Sequence, residues 1–214
     1  MPLKVLIVYY SFTQQTRLLV RNFAEGLEQQ GFECVLERLI PLQGYDLPFV
    51  NTFSLMMAMT ETFFRKRMPI RELSSSCFEH YDCVVLAGPT WSYYPSGPVL
   101  QFLDSHGEEV CAQRPVVPLI SCRSYWRIHF RYLKKKLTRF RAQVEPPVVF
   151  IHPVKEPWRV LGLLMQLRGK MMRKKDSWFR KRYPGYGHTK EQGEQARVAG
   201  ENLGRNLIER AVVS

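Results

Sequence analysis

Two rhythms of hydrophobic positions run along the chain. Residues 3–9 (Leu-Lys-Val-Leu-Ile-Val-Tyr) form a short apolar run rich in β-branched side chains, the pattern of a strand buried in a parallel sheet. A polar turn at 11–15 follows. Leu18, Leu19, Phe23 and Leu27 then recur at helical spacing, and Gly31 supplies the stop. Residues 32–39 repeat the strand pattern. The stretch 41–80 is less regular, a Pro- and Gly-containing loop followed by a Met- and Phe-rich helix over roughly 54–66. Residues 81–88 give the clearest strand after the first, and a loop at 89–97 leads into a short helix at 98–105. A fourth strand at 114–122 precedes a basic helix at 124–140, and 148–151 is a fifth strand. Residues 155–184 read as an insertion. Residues 188–212 read as a long polar helix whose apolar face is Ala196, Val198, Ala199, Leu203, Leu207 and Ile208.

Strands alternating with helices predict an α/β doubly wound parallel sheet, with right-handed crossovers and helices on both faces. Residues 1–214 read as one domain, with 155–184 a basic amphipathic insertion. The 214 residues are 45% hydrophobic, enough to bury a core and too many for a disordered chain. No apolar run approaches the ~20 residues that span a bilayer. The amino terminus has no separate charged region and no cleavage signal, so it reads as that of a mature chain. Five cysteines, odd in number and without a CxxC pair, argue against a disulfide framework or a structural zinc site. Reduced thiols in a cytoplasmic compartment are the simplest account, and no metal site is expected.

Charge changes this picture through its distribution. The formal net charge is +12, yet residues 123–141 alone carry Arg123, Arg127, Arg131, Lys134, Lys135, Lys136, Arg139 and Arg141 with no acid. Residues 155–183 add ten cations against Glu156 and Asp176, so the rest of the chain is slightly acidic. That pattern points to a local anionic partner: a lipid surface, an acidic protein face, a phosphorylated ligand or nucleic acid. The 155–184 segment also holds an apolar side (Val160, Leu161, Leu164, Met165, Leu167, Met171) ended by Trp158, Trp178 and Phe179. Such a helix can lie on an anionic membrane. More ordinarily it is a lid or a dimer helix packed on protein, the latter giving a homo-oligomer. Nucleic acid ranks lowest, because no recognised binding module is present.

Candidate chemistry gathers where strands end. The loop Ser11-Phe12-Thr13-Gln14-Gln15-Thr16 joins the first strand to a helix N-terminus, placing hydroxyls, amides and unpartnered backbone N–H groups together. It can hold a phosphate dianion, or its hydroxyls can simply cap the helix. The loop after the third strand, Gly88-Pro89-Thr90-Trp91-Ser92-Tyr93-Tyr94, offers aromatic faces for a flat ligand, or aromatics that merely cover the sheet end. After the fourth strand comes Ser121-Cys122-Arg123-Ser124-Tyr125-Trp126. Arg123 there serves either an anionic group or the solvated start of a helix. Cys122 reads as an inert small hydrophobe. No acid/base pair announces itself, so no catalytic residue is assigned.

At these loops the chain resembles the flavodoxins. Their phosphate loop runs Ser-x-Thr-Gly-Asn-Thr, which Ser11, Thr13 and Thr16 match in register, while Gln14 and Gln15 replace Gly and Asn. If position 14 requires φ > 0, a residue with a Cβ costs on the order of 1 kcal/mol there. The second loop resembles the Gly-x-Pro-x-Trp/Tyr loop of flavodoxin-like NAD(P)H:quinone oxidoreductases. Trp91, Pro95, Ser96 and Pro98, with Cys122, Arg123 and Trp126, resemble a subgroup associated with dialkylresorcinol biosynthesis. The resemblance covers most of residues 1–152 and the last helix. It implies a five-stranded flavodoxin-like sheet in the order 2-1-3-4-5. It also implies FMN held by Ser11, Phe12, Thr13, Gln14, Gln15, Thr16, Pro89, Thr90, Trp91, Ser92, Tyr93, Tyr94, Cys122, Arg123, Ser124, Tyr125 and Trp126. The implied activity moves electrons or hydride from NAD(P)H to a quinone-like or other small acceptor. The alternative is a flavodoxin-fold interaction or membrane-associated module that has lost its flavin.

Overall fold

A computed structural model describes residues 3–169, Tyr183 and 187–213; the rest of the 155–184 segment lies outside the described residues. Its core is a parallel sheet. Strand β1 (Lys4–Tyr9) lies between β2 (Glu33–Arg38) and β3 (Cys83–Trp91), and β5 (Pro115–Cys122) pairs with the far side of β3. The outer position beside β5 is shared by two segments, β6 (Gln143–Val144) and β7 (Val148–Ile151). The break between them falls at Pro146 and Pro147, whose missing N–H groups cannot extend a ladder. With β6 and β7 counted as one position, the order is the expected 2-1-3-4-5. Two short strands were not expected: β6 beside β5, and β4 (Tyr94–Pro95), which folds back antiparallel on the end of β3.

Alternation along β1 divides the core. Val5, Ile7 and Tyr9 face helices α1 (Gln15–Glu28) and α7 (Lys190–Val213) on one side. Leu6, Val8 and Tyr10 face the other side, with α3 (Gly97–Ser105), α4 (Gly107–Cys111) and α5 (Trp126–Arg139). Burying each of these side chains contributes about 1.5–3 kcal/mol. A third, smaller cluster stands apart, where Phe49, Leu55 and Ala58 meet Leu164 and Leu167. It joins α2 (Thr52–Phe63), started by Asn51 Oδ1 accepting from the Ser54 N–H at 2.7 Å, to α6 (Trp158–Leu167). No helix among the described residues is long and apolar enough to cross a membrane. All five cysteines are free thiols.

Candidate functional site

A cavity of about 390 Å³ opens at the carboxyl ends of β1, β3 and β5, where crevices in doubly wound sheets form. Its volume lies in the range of small-molecule sites, about 300–1,000 Å³. Ser11, Phe12, Thr13, Gln15 and Thr16 line one end. Ser11 is 2% exposed and its Oγ accepts the Arg17 N–H at 3.2 Å, so part of the capping reading is real. Capping leaves its hydroxyl proton available. The first-turn amides of Gln15 and Thr16 precede any acceptor inside α1, and no carboxylate stands in that turn to repel an anion.

Gln14 sits at φ 63°, ψ 0°, in the left-handed conformation that the resemblance assigns to glycine, and its side chain does not line the cavity. Instead its Oε1 accepts from Arg17 Nη1 at 3.3 Å. Ser92 (φ 53°) and Tyr125 (φ 60°) adopt the same conformation in the other two loops, so each of the three loops stores local strain. Gln14→Gly is therefore expected to gain on the order of 1 kcal/mol in chemical denaturation. A loss would show that the bond to Arg17 outweighs the backbone strain.

Pro89, Thr90, Trp91 and Ser92 line the second side. Trp91 is fixed edge-on to Tyr10 (centroids 5.6 Å) and Phe12 (5.8 Å) and lies beside Tyr45 (5.8 Å). Tyr93 and Tyr94 do not join it. Ser92 and Tyr93 form the turn of the β3–β4 hairpin, which sends both tyrosines outward. Tyr93 packs on Phe63 and Tyr125, and Tyr94 packs on Tyr132 beneath the Arg65 guanidinium. The third side holds Ser121, Cys122, Arg123, Ser124 and Tyr125. Trp126 is already the first residue of α5 and lies off the cavity, carrying the Arg127 guanidinium on its ring. Burial pushes the Cys122 thiol up to about 11, with Arg159 opposing, so it is no thiolate nucleophile at neutral pH. Arg123 is a wall residue whose Nη1 donates to the Arg159 carbonyl at 3.5 Å.

The lid reading of the 155–184 segment fits its described part, since Leu164 and Leu167 of α6 pack on Phe49, Leu55 and Ala58 over the cavity. Sequence reasoning passed over the α2 half of the roof and two histidines. Tyr45, Phe49, Leu55, Ala58 and Met59 from the α2 side face Leu163, Leu164 and Leu167 of α6, making the upper wall strongly apolar. His188 lies at the start of α7, where its N–H donates to Gln15 Oε1 at 2.7 Å. Gln192 Nε2 donates to the Ile151 carbonyl, so Gln192 Oε1 is the acceptor facing His188 Nδ1 at 3.0 Å. This assigns the proton to Nδ1, and Ser121 Oγ then donates to His188 Nε2 at 2.8 Å. Burial lowers the pKa of His188, Gln192 opposes that shift and Arg123 reinforces it. His152 accepts the Gly187 N–H at Nε2 (3.1 Å) and stacks on Tyr183. Burial first, then Arg123, His188 and Arg159, push His152 down to about 4. His129, 1% exposed, binds Thr90 Oγ1 through Nδ1 at 2.8 Å, and burial lowers it to about 3. The imidazoles around the site are thus neutral at pH 7. Arg123 and Glu156 are the charged residues among the described lining, and Glu156 is held by Arg159 at 2.7 Å. Among the described residues no three His, Cys, Asp or Glu side chains gather to bind a metal.

The arrangement combines an anion cradle at one end with a dry, partly aromatic slot at the other. No protein-family model matches the chain, and no curated protein does. Solved structures match its backbone. A flavoprotein in complex with FMN from Lactobacillus acidophilus is 17% identical at a TM-score of 0.52, covering 68% of this chain and 91% of its own. A flavodoxin from the domain Archaea is 10% identical at a TM-score of 0.53, covering 96% of this chain and 99% of its own. The flavodiiron protein from Giardia intestinalis is 16% identical at 0.54, covering 96% of this chain and 36% of its own. At these identities the likeness is one of fold: the chain has the flavodoxin-like α/β fold.

Proposed function

We propose that the cavity binds FMN and that the protein carries electrons from a reduced nicotinamide to a small, flat, apolar acceptor of the quinone class. The observation that carries this reading is the convergence of three strand-end loops on one cavity, with hydroxyls and helix N-terminal amides at one end and an apolar slot at the other. A protein of the same fold was solved with FMN. The match of Trp91, Pro95, Ser96, Pro98, Cys122, Arg123 and Trp126 to the dialkylresorcinol-associated subgroup belongs to the same reading.

The residues present fit the group. Ser11, Thr13, Thr16 and the first-turn amides of α1 would hold the phosphate without a cationic side chain. Trp91 and Tyr125 offer aromatic surface, and Arg123 places positive charge beside it. Ser121, its proton committed to His188, presents a lone pair to a ring N–H. Leu55, Ala58, Leu164 and Leu167 keep water from the upper wall. Bound FMN would supply the one- and two-electron chemistry; the protein supplies orientation and electrostatics.

The test is titration of the purified protein with FMN and with riboflavin, read by flavin fluorescence. Thr13→Ala with Thr16→Ala is expected to weaken FMN binding by about 10–100-fold, to leave riboflavin binding nearly unchanged, and to lower stability by less than it lowers FMN binding, the loss coming from the buried Thr16. Equal losses in ligand affinity and stability would reduce these residues to helix caps. NADPH oxidation with a short-chain quinone tests the donor and acceptor, and a flavin-loaded protein inert in that assay overturns that half of the reading. A second reading, an interaction module without flavin, draws on Gln14 in a left-handed conformation and on the hold of His188 over Gln15 at the cradle's edge. Absence of FMN binding at high micromolar concentration would favour it.

A further inference from the structure

Helix α2 carries large apolar side chains on both its inner and its outer side, yet the outer ones are uncovered. Its sequence, Thr-Phe-Ser-Leu-Met-Met-Ala-Met-Thr-Glu-Thr-Phe, has Glu61 as its one charge. A helix of that composition is ordinarily buried. Leu55 and Ala58 turn inward to Phe49 and α6. At 100° per residue the opposite stripe is Phe53, Met56, Met57, Thr60, Phe63 and Phe64. Phe53 and Phe64 are each 72% exposed and Met56 61%. Thr60 does not break the stripe, because its hydroxyl donates to the Met56 carbonyl and its methyl is left outward. The preceding loop extends the patch with Val50, 92% exposed. Glu61 borders the stripe beside Met57, where Lys66 and the Tyr45 hydroxyl hold its carboxylate. Monomeric proteins rarely leave so continuous an apolar surface without a partner.

Cations frame this stripe. At its carboxyl end Arg65 lies over Tyr94, and Tyr94 packs on Tyr132 of α5. Lys135 and Arg139, both exposed, stand three and seven residues beyond Tyr132 and so share its side of α5. At the amino end Arg168 Nη1 donates to Thr52 Oγ1 at 2.7 Å. Two such faces brought together would oppose cation to cation, whereas an anionic bilayer complements both features: acyl chains for the stripe, phosphates for its rim.

We propose that the outer face of α2, rimmed by Arg65, Lys135, Arg139 and Arg168, docks on an anionic phospholipid bilayer, with the helix lying in the interface plane. This docking is independent of the flavin reading. If both hold, the apolar wall that α2 and α6 give the cavity lies next to the membrane, and the acceptor is lipid-soluble.

The test is co-sedimentation of the full chain, as purified, with vesicles of phosphatidylcholine alone and of phosphatidylcholine mixed with phosphatidylglycerol. Binding is expected to the mixed vesicles, weakening with salt. The combined variant Phe53→Ser, Met56→Ser, Phe64→Ser is expected to bind about a hundredfold more weakly with an unchanged thermal midpoint, since these side chains are exposed. Lys135→Glu with Arg139→Glu is expected to lose about tenfold or more on the anionic vesicles only. The proposal is overturned if the wild-type chain ignores anionic vesicles, or if the serine variant binds as well as wild type. It is also overturned if the wild-type chain sediments as a dimer that the serine variant converts to monomer, because a second copy then covers the face. FMN affinity, measured separately, reports on the cavity and not on this surface.

Discussion

Between pH 7 and pH 4.5 the protein is expected to lose about 5 kcal/mol of stability through two histidines alone. His129 and His152 have ordinary values near 6.5 in an unfolded chain, and about 3 and about 4 in the folded one. At any pH between those limits the unfolded chain binds a proton that the folded chain refuses. Stability therefore rises with pH across that window and falls on acidification through it. Each group contributes a slope of about 1.4 kcal/mol per pH unit, so each costs about 2.7 kcal/mol at pH 4.5. His188, lowered by burial, acts with the same sign. Below pH 4 so does Asp104, where burial is outweighed by its bonds to Lys136 and Arg67 and its carboxyl is held below the ordinary value. Against a total stability of about 5–15 kcal/mol this suffices for acid unfolding. Urea titrations at pH 7.5, 6 and 5 would show the slope, and a flat stability across that range would refute it. His129→Asn should remove about half of the slope. It should also loosen Thr90, whose hydroxyl bonds to His129 and whose side lines the cavity, so ligand affinity should fall with it.

What the sequence made legible follows from distance along the chain. A buried strand and the loop that follows it are contiguous, so 3–9, 81–88 and 114–122 located three strands and the loops that line the cavity. The register at Ser11, Thr13 and Thr16 even located the left-handed residue, Gln14, three positions after Ser11. Orientation was less legible. Trp91 and Tyr94 both sit in an aromatic-rich loop, but a two-residue hairpin turns one inward and the other toward α5. Trp126 lies one residue past the wall because α5 begins there.

The α2 half of the roof was hidden for a different reason, whereas the apolar side of α6 reads as that of a lid or dimer helix. A helix with large apolar residues on opposite sides has no clear phase, so nothing in 52–63 announces which residues face the cavity and which face out. His152 and His188 lie 36 residues apart and meet the site only because β7 ends, and α7 begins, at the same edge of the sheet. Their contacts to Gly187 and Ser121 are set by topology and leave no local pattern.

The last helix shows where hydrophobic periodicity finds only part of a contact, and it gives the second large expected effect. Of its expected apolar face Ala196, Ala199, Leu203 and Leu207 pack on the core, while Val198 and Ile208 are 40% and 38% exposed. The stripe actually buried is Gly193, Ala196, Gly200, Gly204 and Leu207, at helical spacing but mostly without side chains. Small residues there let α7 and α1 approach until backbones touch. A Cβ on Gly200 would lie 2.1 Å from the Phe23 carbonyl oxygen, and one on Gly26 2.0 Å from that of Arg197. Both obstacles are main chain, so no rotamer change relieves them. Gly200→Val is accordingly expected to cost about 3 kcal/mol or more, lowering the thermal midpoint by roughly 6–12 °C in a chain of this length. Val198→Ser and Ile208→Ser on the same helix should each cost less than about 0.5 kcal/mol. The site should register the change as well. Displacing α7 moves His188 and Gln192 together, breaking the 2.8 Å link to Ser121 and the hold of His188 on Gln15 at the cradle's edge. Ligand affinity in Gly200→Val should therefore fall even at temperatures where the variant remains folded. An unaltered affinity would mean that α7 braces the sheet without positioning the cavity wall, and a serine variant that unfolds as readily as the valine one would return Val198 and Ile208 to the buried face of that helix.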